Sequence, residues 1–336
     1  MSKPILFFGE LLIRLTAPGN ELLMQSPSLN LHVGGAEANV AIGLSNLGHE
    51  CRMVSHVADN ALGRGAVSAI RAQGVDCAGV STAAGRMGLY FLAVGAGLRS
   101  SEIVYDRAGS AFAQATAADF DWDRLLADAG LLHLSGITPA LGPQSAEAAL
   151  SAARAAKRLG VPISFDGNYR AMLWEAWDSD PKAILSELIG MTDILFGNHR
   201  DLSLVLGTEF SGDGADRRRE AADAGFAAFP SLKLIASTAR HTVSADHHRI
   251  SARVDLRDAA HQTAEVDVTG IVDRIGAGDA FAAGVLHAHL GGGDAKAMAE
   301  SGLALTCLKH SLPGDASLFR QADIDAFHTG GLDVRR

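Results

Sequence analysis

The sequence predicts an α/β protein of three layers, in which helices cover both faces of a mostly parallel central sheet. A short apolar stretch that ends in glycine or polar residues recurs along the chain, and alanine-rich helical stretches lie between these units. One helical stretch, residues 145–160, ends in a glycine suited to a helix C-cap. Strands that alternate with helices in this way form parallel sheets that are buried on both faces. The apolar stretches are PILFFGE (4–10), LLHLSGIT (131–138), VPISFDGNYR (161–170), DILFGNHRD (193–201) and LKLIASTAR (232–240).

Glycine or polar residues stand where each of these predicted strands ends. Ligands of parallel sheets bind beyond the carboxyl ends of the strands. We therefore expect the five strand ends to face one common site. The residues are Gly9 and Glu10; Ser135 and Gly136; Asp166, Asn168 and Arg170; Gly197 and Asn198; and Ser237 and Thr238.

Two segments, 11–35 and 88–112, interrupt the alternation, because they predict strands and turns without a helix between them. The second predicts a hairpin with strands at 89–94 and 102–107 around a glycine-containing turn. We expect the two segments to form a small separate β-sheet that acts as a lid over the strand ends. Exposed strand edges attract partners, so we also expect a homodimer or higher homo-oligomer that pairs through the lid.

The totals restrict the class of protein. No linker or low-complexity tract divides the 336 residues, which predicts a single α/β domain over 1–336. The net charge of −9 argues against a nucleic-acid partner. Three widely spaced cysteines fit reduced thiols in the cytoplasm. No stretch reaches membrane-spanning length, and the N-terminal residues predict a first strand rather than a signal peptide.

Several familiar motifs are excluded. The chain contains no Gly-Lys pair, which excludes a Walker phosphate loop, and Phe281 occupies the third glycine position of a dinucleotide fingerprint. His241, His247 and His248 lack a metal-ligand pattern and are predicted to be surface histidines.

A glycine-rich turn followed by a carboxylate carries the strongest signal. Asp279 stands between the turn 276–278 and an apolar helix, whose first amides and partial positive charge attract anions. Taken alone, Asp279 could simply cap that helix. The second signal is the pair Gly34 and Gly35 before another helix, with Asn39 off its apolar stripe. Together the two motifs favour a ligand site over two unrelated helix caps.

These two motifs, in this order and at this separation, resemble those of the ribokinase-like (PfkB) carbohydrate kinases. The stretch 273–279, DRIGAGD, is similar to the family's D-T-x-G-A-G-D, and Asn198 with Asp201 resembles its N-x-x-E motif. The resemblance covers nearly the whole chain. It implies a ribokinase-like fold and ATP-dependent phosphorylation of a sugar, and the two interrupting segments fall where the family has its β-lid.

Within the family the chain looks most like the 2-keto-3-deoxygluconate kinases, through GLYFL, YDRAGSA, FDGNYR and LKHSLPGD. Such a substrate carries a carboxylate, which Arg107 and Arg170 could each hold in a forked geometry. Tyr90 and Tyr105 lie on opposite strands of the predicted hairpin and could cover the sugar. A kinase of fructose, another ketose or a nucleoside, and a catalytically silent ligand-sensing protein, remain as alternatives.

The resemblance implies a role for each matching residue. Asp279 would be the general base, and the amides of Gly276, Ala277 and Gly278 would stabilise the transferred phosphoryl group. Mg²⁺ would be held through water by Asn198 and Asp201, and a monovalent cation such as K⁺ is a further candidate. The expected substrate-binding residues are Gly34, Gly35, Asn39, Tyr90, Tyr105, Arg107, Ile137 and Arg170. The expected nucleotide-binding residues are Asn168, Asn198, Ser237, Thr238, Gly276, Gly278, Ala304, Lys309 and Ser311.

The chain departs from the family pattern at three positions. Arg274 replaces the usual Thr, which has little effect if its side chain points away from the phosphates. Asp201 replaces Glu, which shortens its reach toward a magnesium-bound water. Glu37 stands where ribokinases have Gly, which makes ribose a poor candidate substrate.

Overall fold

The computed structural model describes residues 3–330. Its strands are β1 (Ile5–Phe8), β2 (Leu12–Thr16), β3 (Asn30–Gly34), β4 (Cys51–Ala58), β5 (Asp76–Ala83), β6 (Gly88–Ala93), β7 (Glu102–Asp106), β8 (Leu131–Ser135), β9 (Ile163–Asp166), β10 (Ile194–Phe196), β11 (Leu234–Ser244), β12 (His247–Leu256), β13 (Ala260–Gln262) and β14 (Val266–Thr269). Its α-helices are α1 (Ala36–Asn46), α2 (Ala61–Ala72), α3 (Ala111–Gln114), α4 (Trp122–Leu126), α5 (Ile137–Ala140), α6 (Pro143–Leu159), α7 (Ala171–Trp174), α8 (Pro181–Met191), α9 (His199–Leu206), α10 (Gly214–Ala228), α11 (Ala277–Leu290), α12 (Ala295–Lys309) and α13 (Gln321–Thr329).

The main sheet has ten strands within residues 3–330, in the order β13-β12-β11-β10-β9-β8-β1-β4-β5, with β14 also paired to β12. Each neighbouring pair from β5 to β11 is parallel. Only β12, β13 and β14, at one edge, pair antiparallel to their neighbours among these described strands. The sheet is therefore mostly parallel, as the sequence predicts.

Helices cover both faces of this sheet. Along β1, Ile5 and Phe7 belong to one buried cluster, and Leu6 and Phe8 belong to another, because successive side chains of a strand point to opposite faces. The first cluster packs against α1, α2, α11 and α12. The second packs against α4, α6, α8, α9 and α10. The predicted three-layer α/β/α arrangement is confirmed.

A second sheet of four strands has the order β3-β2-β6-β7, and all four strands lie within the predicted segments 11–35 and 88–112. We call it the small sheet. Strands β6 and β7 form the predicted hairpin, and their register places Tyr90 directly opposite Tyr105. The two rings are 5.7 Å apart between centroids.

One edge of the main sheet differs from the prediction. The sequence places the end of a strand at Ser237 and Thr238, whereas β11 continues to Ser244 because β12 pairs with it along its length. His248, predicted to be on the surface, is fully buried on β12, where its ring lies 5.9 Å from the ring of His310. Among the described residues no helix is both long and apolar enough to cross a membrane.

Candidate active site

A cavity of about 950 Å³ lies where the C-terminal ends of the parallel strands meet the small sheet. Its volume is within the range of sites that bind small molecules. Most of the predicted site residues line it: Gly35, Asn39, Tyr90, Tyr105, Arg107, Ile137, Asn168, Arg170, Asn198, Asp201, Ser237, Thr238, Gly276, Ala277, Gly278 and Asp279. Residues at or just after all five strand ends thus line one cavity, although Gly9, Ser135 and Gly136 themselves do not. Ser237 and Thr238 reach it from the middle of β11 rather than from its end.

Four predicted site residues do not line the cavity. Gly34 is buried beneath it, and a Cβ atom added there would lie 2.4 Å from Asp315 Oδ2. Ala304 is fully buried in the core. Lys309 is also fully buried, and its ammonium group donates to the backbone carbonyls of Asp273 at 3.4 Å and Leu312 at 3.1 Å. Ser311 is exposed and its hydroxyl donates to a carbonyl of its own turn.

The glycine turn before α11 uses its glycines in two different ways. Gly276 has φ 77°, in the left-handed region, and an added Cβ would lie 1.5 Å from the Asp315 carbonyl oxygen. Only glycine fits there. An added Cβ at Gly278 meets no atom within 4 Å. Gly278 thus leaves open space on the cavity side of the first turn of α11, where unpaired amides can approach an anion.

The side chain of Asp279 does not cap α11. Instead its Oδ2 atom accepts a hydrogen bond of 2.6 Å from Asn39 Nδ2 of α1. The two sequence motifs therefore meet through their polar side chains. Burial raises the pKa of Asp279 to about 8. The hydrogen bond from Asn39 opposes this shift, and the charge of Asp166 adds to it. A carboxyl group with this pKa is suited to accept a proton near neutral pH.

The carboxyl groups of Asp166 and Asp201 also line the cavity. Burial, and then the charge of Asp201, raise the pKa of Asp166 to about 7. Burial also raises the pKa of Asp201. Asp201 Oδ2 accepts from the Asn198 amide at 2.8 Å, and the Asn198 side chain accepts from the Arg200 amide, so the two residues form a capping box at the start of α9. The like-charged pair Asp166 and Asp201 would be stabilised by a cation between them.

The two predicted carboxylate-binding arginines differ in their partners. Arg107 is buried and forms an ion pair with Glu10, to which its Nε atom donates at 2.9 Å. Arg170 is exposed and donates to the Tyr169 carbonyl at 3.2 Å. No carboxylate of residues 3–330 lies within ion-pair distance of Arg170, which is therefore available to an anionic ligand.

A buried charged network supports the small-sheet side of the cavity. Arg14, on β2, bonds both Asp273 at 2.5 Å and Asp315 at 2.6 Å. The hydroxyl of Tyr90 donates to Asp315, and burial raises the pKa of this tyrosine. The network joins the small sheet to the segment before the glycine turn, so it positions Tyr90 relative to Asp279.

Sequence reasoning did not assign site roles to Glu10, Arg14, Asp166, Arg240 and Asp315, of which all but Arg14 line the cavity. Glu10 and Asp166 were signalled by their places at strand ends. Arg14 could have been found as a lone charge within an apolar strand, and burial of such a charge requires a partner. Asp315 lies in LKHSLPGD, yet its partners Arg14 and Tyr90 are 301 and 225 residues away in the sequence.

Comparison with known proteins agrees with this architecture. The pfkB family carbohydrate kinase profile matches residues 2–320, and the chain belongs to that family. It is 29% identical over 331 residues to a 2-dehydro-3-deoxygalactonokinase of Haloferax volcanii, with 98% of each chain covered. The structure of a 2-dehydro-3-deoxygluconokinase of Thermotoga maritima superimposes with a TM-score of 0.92 at 34% identity, covering 98% of this chain and 100% of the other. A fructokinase of Xylella fastidiosa with bound ATP shares the fold, with a TM-score of 0.78 at 19% identity over 99% of this chain and 100% of the other.

The chain is thus a carbohydrate kinase by family. Among the solved structures, the Thermotoga protein named for a sugar acid matches at higher identity than the Xylella fructokinase.

Proposed function

We propose that this protein transfers the γ-phosphoryl group of ATP to the 6-hydroxyl of 2-keto-3-deoxygluconate. The observation that carries the proposal is the contact between Asn39 and Asp279, which holds a carboxyl group of raised pKa beside the glycine turn. Asp279 would accept the proton of the attacking hydroxyl. The amides of Gly276, Ala277 and Gly278 would bind the charge that develops on the phosphoryl oxygens.

The choice of a sugar acid rests on the charges at the substrate end. Arg170 forms no ion pair within residues 3–330, although its charge lowers the pKa of Asp166 and Asp201, and a sugar acid would give it a carboxylate to bind directly. Arg107 uses its Nε and one terminal nitrogen on Glu10, and its Nη1 atom makes no hydrogen bond to a described residue. The two guanidinium groups could therefore receive one carboxylate between them. The names of the Thermotoga and Haloferax relatives support the same substrate class.

The cofactors follow from the reaction class. Mg²⁺ neutralises the phosphates of ATP and keeps most of its water ligands. Asn198 and Asp201 would hold it through water, with Asp166 nearby as a second carboxylate. Use of K⁺ remains a prediction. The ammonium of Lys309 already occupies carbonyl oxygens next to the glycine turn, which would reduce the need for a metal cation at that place.

Location and assembly remain expectations from the sequence. We propose a cytoplasmic homodimer that pairs through the small sheet. Strands β3 and β7 are its edges, and Leu31 and Val104 on them are 55% and 46% exposed. Exposed apolar strand edges favour association. Light scattering after size exclusion tests this, and a monomer at high protein concentration would contradict it.

The function is tested with one substrate panel. The full-length protein is assayed with Mg-ATP and 2-keto-3-deoxygluconate, its C4 epimer 2-keto-3-deoxygalactonate, fructose and a nucleoside, and the product is located by ³¹P and ¹³C NMR. We expect the gluconate acid to give the highest kcat/KM, with phosphate on the 6-hydroxyl. A preference for fructose or a nucleoside would establish the alternative kinase. Absence of turnover with every sugar, together with sugar binding, would establish a ligand-sensing protein.

A further inference from the structure

Three arginines that line the cavity, Arg200, Arg240 and Arg274, have no assigned role, and Arg240 and Arg274 act on each other electrostatically. Arg274 immediately precedes the segment that leads into the glycine turn, and Arg240 lies on β11, two residues beyond Thr238. Both side chains line the cavity. The sequence left open whether Arg274 points away from the phosphates, and the structure places it on the cavity wall.

The pairing of these arginines differs from that of the buried arginines. Arg14, Arg107 and Arg253 each form an ion pair with a carboxylate. Within residues 3–330 neither Arg240 nor Arg274 has a carboxylate within ion-pair distance or a hydrogen bond from its guanidinium group.

The two groups are also close enough to repel one another. Burial, and then the like charge of Arg274, lower the pKa of Arg240. Two cations kept together without an anion are unfavourable unless a ligand supplies the charge.

Two buried histidines, His248 and His310, lie near enough to these arginines for their charges to interact. His310 lines the cavity; its Nδ1 atom is hydrogen-bonded to the Thr306 carbonyl at 2.7 Å, and its Nε2 atom is buried without a partner. Both ring nitrogens of His248 are buried without a partner. Buried polar atoms normally have partners, so the orphaned Nε2 atom of His310 indicates that a polar ligand or water belongs at this part of the cavity, whereas His248 does not line the cavity.

We propose that Arg240 and Arg274 form a second anion-binding element, which holds the β- and γ-phosphate groups of a nucleoside triphosphate beside the glycine turn. The inference rests on the proposed function. The amides of the turn can act only if the phosphate chain reaches Gly278, four residues beyond Arg274. Two guanidinium groups on that wall match a chain of phosphates, because each can bind phosphate oxygens through two parallel hydrogen bonds.

The experiment measures nucleotide affinity by calorimetry on the full-length protein. ATP, ADP and AMP are titrated into wild type, Arg240→Ala, Arg274→Ala and Arg274→Lys. The control is Arg249→Ala on β12, whose side chain is 43% exposed and pairs with Glu265. Each alanine variant should weaken ATP binding about ten- to a hundred-fold, the usual effect of losing a charge-assisted contact. AMP binding should change little, Arg274→Lys should recover part of the loss, and the control should match wild type.

The outcomes separate this inference from the proposed function. If wild type bound no adenine nucleotide, the kinase assignment and this inference would both fail. If wild type bound ATP normally and both alanine variants did so too, only the arginine element would be wrong. Equal losses for ATP and AMP would also overturn it, because the arginines would then support the nucleoside end or the fold. Thermal unfolding of each variant identifies a folding defect. If an alanine variant is unfolded, the folded variants Arg240→Lys and Arg274→Lys are used instead, and their ratio of ATP affinity to AMP affinity is compared with that of wild type.

Discussion

Replacing Arg170 by alanine tests the substrate class, because this exposed side chain forms no ion pair with a described carboxylate and acts on the buried Asp166 and Asp201 only through its charge. Its only polar partner among the described residues is the carbonyl of its neighbour Tyr169. We expect the free energy of unfolding to change by no more than about 0.5 kcal/mol, as for other exposed substitutions. Arg107→Ala would be a less specific test of the substrate class. It leaves the carboxylate of Glu10 buried and unpaired, which costs roughly 3–5 kcal/mol.

The expected loss of activity follows from one lost contact. A hydrogen bond to a charged group contributes about 1.5–3 kcal/mol, so kcat/KM for the sugar acid should fall by about one to two decades. A neutral ketose makes no such contact, so any slow activity on fructose should hardly change. The ratio of the two losses is therefore more informative than either loss alone.

The assay couples ADP formation to a spectrophotometric signal at several concentrations of each sugar. Arg64→Ala serves as the matched control, since Arg64 is exposed on α2 and pairs only with the exposed Asp59. Equal losses on the acid and the neutral sugar would refute the carboxylate contact. So would a variant with unchanged kcat/KM for the acid.

Four further predictions concern the catalytic carboxyl and the glycine turn. Because the pKa of Asp279 is raised to about 8, the pH profile of kcat/KM should rise with pH well above the usual range of a carboxylate, and a flat profile from pH 5 upward would contradict this. Stability shows the opposite trend. The contribution of Asp279 to stability is present below the pKa that it has in the unfolded chain, and it is lost as pH rises through about 8. Asp279→Asn should therefore raise Tm relative to wild type at pH 9 but not at pH 4. Asn39→Ala removes the hydrogen bond that lowers this pKa, so it should move the acid limb of the profile to higher pH; an unmoved limb would show that the contact does not act on Asp279. Gly278→Val should fold, since the added side chain meets open space, and should lower kcat more than sugar affinity; loss of sugar affinity with kcat retained would place the turn in the sugar site.

The fold was predictable because it is encoded in local patterns. The alternation of strands and helices and the buried polar-free stretches such as 5–8 specify a parallel sheet with two covered faces. The extension of β11 was not predictable from Ser237 and Thr238. Their polarity resembled a strand end, and only the pairing with β12 shows that the strand continues to Ser244.

The candidate site was predictable wherever a residue stands at a strand end or in one of the two motifs. It was not predictable where the state of a side chain depends on a distant partner. Arg107 gave no sign in the sequence of its pairing with Glu10, which lies 97 residues earlier. Lys309 was expected at the nucleotide and is instead buried on two carbonyls. Such partners are fixed by the packing of the whole chain, which local sequence does not specify.

The most direct test of the account is the turnover of Asp279→Asn with Mg-ATP and 2-keto-3-deoxygluconate. Asparagine keeps the shape of the side chain and cannot accept the proton of the sugar hydroxyl. We predict that kcat falls by about 10²–10⁴ while ATP binding is retained and the variant is at least as thermally stable as wild type at neutral pH. Near-normal kcat in a folded variant would contradict the account, because the carboxylate between the two motifs would then not be the catalytic base.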